Sequence, residues 1–183
     1  MKVSSRKTKF AALAAILFML GGVTSYAETL GDVLKESKWD SIIGTWIDPE
    51  TKGQNKKITY AWKVKDHAIL VTSTAFGTNS VAIMGRNAKN GTVFHAGTDS
   101  KGTSVLGKWA FKEGEAILGL GFVSGEGVEG VMQVRYTMKD ENTVVVSVED
   151  LTPEPIVHTM VKVKTVTKAP RNGPKTPFNP KRL

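Results

Sequence analysis

From Gly44 onward, short runs of alternating apolar and polar residues are cut repeatedly by turn chemistry, and no interval is left for a crossover helix. The clearest run is "KITYAWKVK". Ile58, Tyr60, Trp62 and Val64 alternate there with Lys57, Thr59, Ala61 and Lys63, a period of two with one apolar face. A Lys65-Asp66-His67 turn leads to "AILVTSTAF", Phe76 to Asn79 turn the chain into "SVAIMGR", and Asn90-Gly91 reads as a tight hairpin into "TVFHAG". "TSVLGKWAF", "EAILGLGFV", "VEGVMQVRYTM", "TVVVSVE" and "IVHTMVKVKTV" follow, each set off by Gly, Asp, Asn or Pro. About ten short strands with short links make antiparallel neighbours. The chain is therefore expected to be all-β, an antiparallel up-and-down barrel of about 8–10 strands. An open β-sandwich is the alternative. Ahead of the strands, Leu30, Val33 and Leu34 fall at helical spacing, which predicts a short N-terminal helix ended by Gly44.

The two ends read differently from this middle. Residues 1–9 carry Lys2, Arg6, Lys7 and Lys9 with no acid, Phe10 to Leu20 are apolar, and Ser25-Tyr26-Ala27 supply small residues at a cleavage site. That is the secretory signal pattern over 1–27, and its apolar run is too short to span a bilayer, which needs about 20 residues. The protein is thus expected to be exported, periplasmic or secreted. Lys168 to Leu183 hold four prolines, five basic residues and no acid, which predicts a disordered basic tail over 168–183. The formal charge of +8 resides in these ends. Between them, 16 basic residues face 17 acidic ones, so a nucleic-acid-binding face is not supported. Contact of the tail with anionic envelope surfaces is the one electrostatic partnership the charges allow. With no cysteine in an exported chain, the domain from 28 to 167 must hold by its core alone, with no thiol chemistry.

A short helix, then Gly44-Thr45-Trp46 at the start of the first strand, then an antiparallel meander resembles the lipocalin-like, or calycin, barrels of an uncharacterised bacterial type. The resemblance implies that Gly44 lets the chain enter the barrel and that Trp46 plugs its closed end. It also implies that Lys162 or Lys164 covers the tryptophan face as a basic residue does in that family. Thr98-Asp99 is similar to the threonine–aspartate of the family's second motif. Gly107-Lys108-Trp109 repeats the glycine-x-tryptophan pattern in mid-chain.

The chemistry-bearing residues are few. Three histidines, His67, His95 and His158, without close spacing give no metal signature. His158 shares a face with Met160, Lys162 and Lys164. With Val161 and Val163 opposing it, that face reads as outward, so haem, which needs an inward histidine, is not expected. His95 sits in mid-strand and is a weak catalytic candidate, acting with a nearby acid or tyrosine; a hydrogen-bonded strand histidine is the plainer reading. No serine lies in G-x-S-x-G, and Ser124, Glu126 and Glu129 read as a hairpin tip. Tyr60, Trp62, Met84, Met132, Tyr136 and Met138 share a presumed interior face. Such a lining suits a flat or aliphatic ligand with the tyrosine hydroxyls as polar handles, and it serves equally to fill a barrel. The function expected is binding of a small, mostly apolar ligand by a monomeric barrel, without catalysis or cofactor. One alternative is a barrel enzyme, an isomerase or hydrolase using His95. The other is an envelope interaction module acting through its outer surface and basic tail.

Overall fold

A computed structural model describes residues 28–150 and 152–164; the expected leader and the basic tail lie outside them. The first helix, α1 (Leu30–Glu36), is set by a capping box. Asp32 N–H donates to the Thr29 hydroxyl, and Thr29 N–H donates to the Asp32 carboxylate at 2.9 Å. Leu30 and Leu34, four residues apart on one face, are fully buried. A short 3-10 turn, Asp40–Ile42, follows, and Gly44 at φ 136° admits the chain to the first strand.

Ten strands follow: β1 (Gly44–Ile47), β2 (Lys56–Val64), β3 (Ala68–Ala75), β4 (Thr78–Arg86), β5 (Val93–Asp99), β6 (Ser104–Lys112), β7 (Glu115–Val123), β8 (Glu129–Asp140), β9 (Thr143–Glu149) and β10 (Ile156–Lys162). Each pairs antiparallel with its neighbour in sequence. The pairing of β1 with β10, Trp46 opposite Lys162 and Ile47 opposite Val161, closes the circle. Closure rules out the open sandwich and removes the long exposed sheet edges.

Two turns differ from their sequence expectation. The β3–β4 turn is only Phe76-Gly77, both at positive φ, so Thr78 and Asn79 already belong to β4. Asn90-Gly91 does not form a two-residue hairpin. It ends a longer loop in which the side chains of Asn87 and Asn90 each accept from a backbone N–H two residues on, and Gly91 N–H returns to the Asn87 carbonyl at 2.8 Å.

The phase of β10 is also the reverse of its expectation. Met160 is 1% exposed and points into the barrel, whereas Val157 on the alternate face is 58% exposed, and Val163 is also exposed. His158 therefore lies in register with inward-facing Val146. Two competing cues explain the error. Valine favours strands on either face, and the apolar stems of Met160 and Lys162 fit the interior better than their neighbours do.

One end of the barrel is sealed. Gly31 N–H bonds the Asp66 carbonyl in the β2–β3 turn at 3.0 Å, and a Cβ at Gly31 would meet the Asp66 side chain at 2.5 Å, so only glycine lets the helix sit this close. Trp39, fully buried, donates its indole N–H to the Lys112 carbonyl at 2.9 Å. Ion pairs Lys38–Glu113 and Arg86–Glu28 fasten the rim of the same end.

Candidate ligand cavity

Period-two alternation sends one face of every strand inward, and side-chain size then divides the interior into two halves. In the sealed half, Trp39, Trp46, Tyr60, Tyr136, Met138 and Met160 converge and leave only about 10 Å³ free. Trp46 donates its indole N–H to the Ile42 carbonyl at 2.8 Å. The Lys162 stem crosses Gly44, where a Cβ would lie 2.8 Å from its Cε. Its ammonium stands 5.5 Å over the Trp46 ring and donates to the Ser41 carbonyl.

In the other half many of the inward residues are small, among them Val71, Ala82, Gly97, Val105, Val134 and Val148, with Leu118, Leu120 and Met132 beside them. A ten-strand circumference is wide, and these side chains do not fill it. A cavity of about 390 Å³ results, opening between the β1–β2, β3–β4 and β5–β6 loops, with Lys56, Thr78, Asp99 and Thr103 at its mouth. That volume falls in the range of small-molecule sites. Tyr60 and Tyr136 belong to both halves and form the partition between them. Burial and the neighbouring Tyr136 push the Tyr60 phenol well above its ordinary range, and burial raises Tyr136 too. Both hydroxyls therefore keep their protons and can donate.

Apart from tyrosine and tryptophan, His95 is the one polar side chain among the buried residues described, 8% exposed, and it lines the cavity wall. Its Nδ1 is buried without a hydrogen-bond partner in the protein, which costs about 1–3 kcal/mol for a neutral group. Burial alone pushes its pKa down to about 4, so the imidazole is neutral near pH 7. No carboxylate acts on it to orient or charge it. The ring meets Trp109 edge-on at 6.1 Å between centroids, and Trp109 in turn stacks on Phe111 at 5.3 Å and touches Tyr136 at 5.1 Å. Gly107 stands opposite His95 on β6, and a Cβ there would strike the Gly119 carbonyl oxygen at 2.3 Å.

Of the residues expected to bind, Tyr60, His95, Met132 and Tyr136 are brought together on the cavity wall. Met84 is directly opposite His95 on β4 but is packed in the core and does not line the cavity. Trp62 is partly buried near the sealed end, under the Lys65 ammonium at 5.0 Å, and Met138 belongs to the filled half. Leu118, Leu120 and Val105 are cavity residues that sequence reasoning missed, although their alternation within "EAILGLGFV" and "TSVLGKWAF" carries the signal. Trp109, the hub of the aromatic cluster, was visible only as a repeat of the glycine-x-tryptophan pattern.

Asp99 folds its own turn, accepting from Lys101 N–H at 2.8 Å and Thr103 N–H at 2.9 Å. Those bonds hold its carboxyl below the usual range. Arg135 lies on the outer wall between Glu115 and Glu149 and plays no part inside. His158 reaches the rim of the mouth rather than the cavity, 6.3 Å from the Phe76 ring and in the groove beside Asp48 and Lys56. Ser124, Glu126 and Glu129 sit at the β7–β8 turn, where the Ser124 hydroxyl accepts from backbone N–H groups. Among the described residues no cluster of three metal-ligating side chains occurs, and no helix is long and apolar enough to cross a membrane.

These features define a closed ten-strand antiparallel β-barrel with one sealed end and one hollow, open end. No protein-family profile matches the chain, and comparison with curated proteins finds no match.

Proposed function

We propose that this protein is an exported, lipocalin-like barrel that binds a small, mostly apolar molecule in its open half and does not alter it chemically. The observation that carries this reading is the cavity of about 390 Å³ above a filled floor, walled mostly by apolar side chains and reached from one end. The resemblance at Gly44-Thr45-Trp46 supports the assignment to the lipocalin-like barrels, and the leader pattern of residues 1–27 supports export to the periplasm or the exterior. A binding role is favoured over catalysis because His95 has no acid beside it to act as a relay, and desolvation is the one influence on its proton.

Ala82 lines the cavity and is almost fully buried, so Ala82→Phe fills the space from the wall. The test is fluorescence of a neutral apolar dye, Nile red, added to the wild type and to Ala82→Phe. Saturable uptake by the wild type and its loss in a folded Ala82→Phe variant is the expected result. Uptake that Ala82→Phe leaves unchanged would place the dye elsewhere and remove the basis of the proposal.

A further inference from the structure

We infer that the cavity selects an uncharged amphiphile, inserted head first, whose hydroxyl or carbonyl group is met by His95 and the Tyr60–Tyr136 pair. The inference rests on the binding function proposed above and adds the class and orientation of the ligand. Three observations carry it.

The first is the unsatisfied imidazole. His95 is more than nine-tenths buried, lines the cavity, and has a ring nitrogen with no protein partner. A neutral imidazole donates from one nitrogen and accepts at the other, so it matches a hydroxyl in either role and a carbonyl in one. Nδ1 is closed off from the cavity, so a ligand meets the ring through Nε2, and Nδ1 gains a partner only when the ring turns toward the ligand.

The second is where the remaining polar groups lie. The Tyr60 and Tyr136 hydroxyls are at the floor, both protonated across the physiological range, while the Ser73 and Ser80 hydroxyls on the wall nearer the mouth bond one another at 2.7 Å. Depth in this cavity therefore offers donors and acceptors, but no charge.

The third is where the charge lies. Among the cavity-lining residues only Lys56 and Asp99 are ionised, and both stand at the mouth. Asp99 is held by its own turn. A carboxylate driven to the floor would be buried with no cation and would have to be protonated or charge His95, and either is unfavourable. A neutral head meets no such penalty. The competing pose for an acid is head outward, with its carboxylate against Lys56, whose ammonium forms no salt bridge among the described residues. Water screens that contact, so it is worth less than a buried hydrogen bond.

The experiment is displacement of Nile red from the purified protein by 1-decanol and by decanoate at neutral pH. Wild type, His95→Leu, Tyr136→Phe and Lys56→Met are compared, with circular dichroism to establish that each is folded. Displacement by decanol at roughly tenfold lower concentration than decanoate, about 1.4 kcal/mol, is expected in the wild type and in Lys56→Met. His95→Leu should erase that preference and Tyr136→Phe should reduce it. Equal displacement by the two amphiphiles overturns the inference while leaving the cavity as a binding site, as does a decanoate preference that Lys56→Met abolishes. A decanol preference that survives both His95→Leu and Tyr136→Phe overturns it also. If Nile red is not bound at all, the failure lies with the binding function itself.

Discussion

The two halves of this barrel are built from the same ten strands and the same alternation, yet one is solid and the other hollow. The difference lies in the size of the inward residues. Two tryptophans, two tyrosines and two methionines converge on the helical end, while toward the loops the rings give way to valine, alanine and leucine. Trp39 and Trp46 in the sealed half donate to carbonyls, whereas His95 on the wall of the hollow has a buried nitrogen with no partner. Close packing, and with it stability, is concentrated in the filled half, and binding capacity in the hollow one.

The largest test of that division is a deletion in the sealed half. Trp46→Ala removes a ring that is almost wholly buried, its N–H bond to Ile42 and the surface on which Lys162 rests. A loss of about 3–5 kcal/mol in urea-unfolding free energy is expected. A loss under about 1 kcal/mol would mean that the sealed half is not the stabilising one.

His95 gives the next largest effect, and its sign is fixed. Its folded pKa of about 4 lies below the ordinary 6.5, so as pH falls the unfolded chain takes the proton first. Stability is full above about pH 6.5 and declines toward pH 4, by about 3 kcal/mol over that span from this group alone. Glu115 and Glu149, held below their usual range by hydrogen bonds from Lys112 and Arg135, also lose stability as pH falls. Their contribution is common to wild type and variant. The unfolding free energy of His95→Leu should therefore fall less steeply between pH 7 and pH 4 than that of the wild type. Parallel slopes would show that the imidazole is not buried neutral.

Lys162→Met keeps the stem over Gly44 and removes the ammonium, with its bond to the Ser41 carbonyl and its place over the Trp46 ring. It should cost about 1 kcal/mol in thermal or urea unfolding. The smallest effect belongs to the hollow half. Met132→Ala trims a cavity wall that is already only partly packed, so it should cost about 1 kcal/mol or less while altering dye uptake. A cost equal to that of Met160→Ala in the floor would erase the distinction between the halves.

Most of the architecture was legible in the sequence because turns and period two are local. The helix and the meander follow from residues that signal within a few positions of themselves, such as Leu30 with Leu34 or Ile58 with Tyr60, whereas closure rests on the distant pairing of β1 with β10. The exceptions are informative. Asn90-Gly91 was outcompeted by side-chain turns at Asn87, and the phase of β10 depended on Met160 and Lys162 meeting Trp46, a contact between opposite ends of the chain. The cavity was the least legible part. Tyr60, His95, Met132 and Tyr136 could each be named as inward, but whether they fill or line a space depends on residues across the barrel. Ala82 opposite Gly97 is one such case, and no single strand carries that sum. Trp62 and Met84 pack against the core, as an interior face implies, but neither lines the cavity.

The central claim is that one half of the interior accepts a ligand and the other does not. Methyl carbon–proton NMR during titration with 1-decanol tests it directly. Saturable shifts are predicted for Val71, Leu118, Leu120 and Val148, which line the hollow, with little change at Leu30, Leu34 and Met160 in and around the sealed floor. Shifts concentrated at the floor, or none at the hollow up to the solubility limit of decanol, would contradict the account.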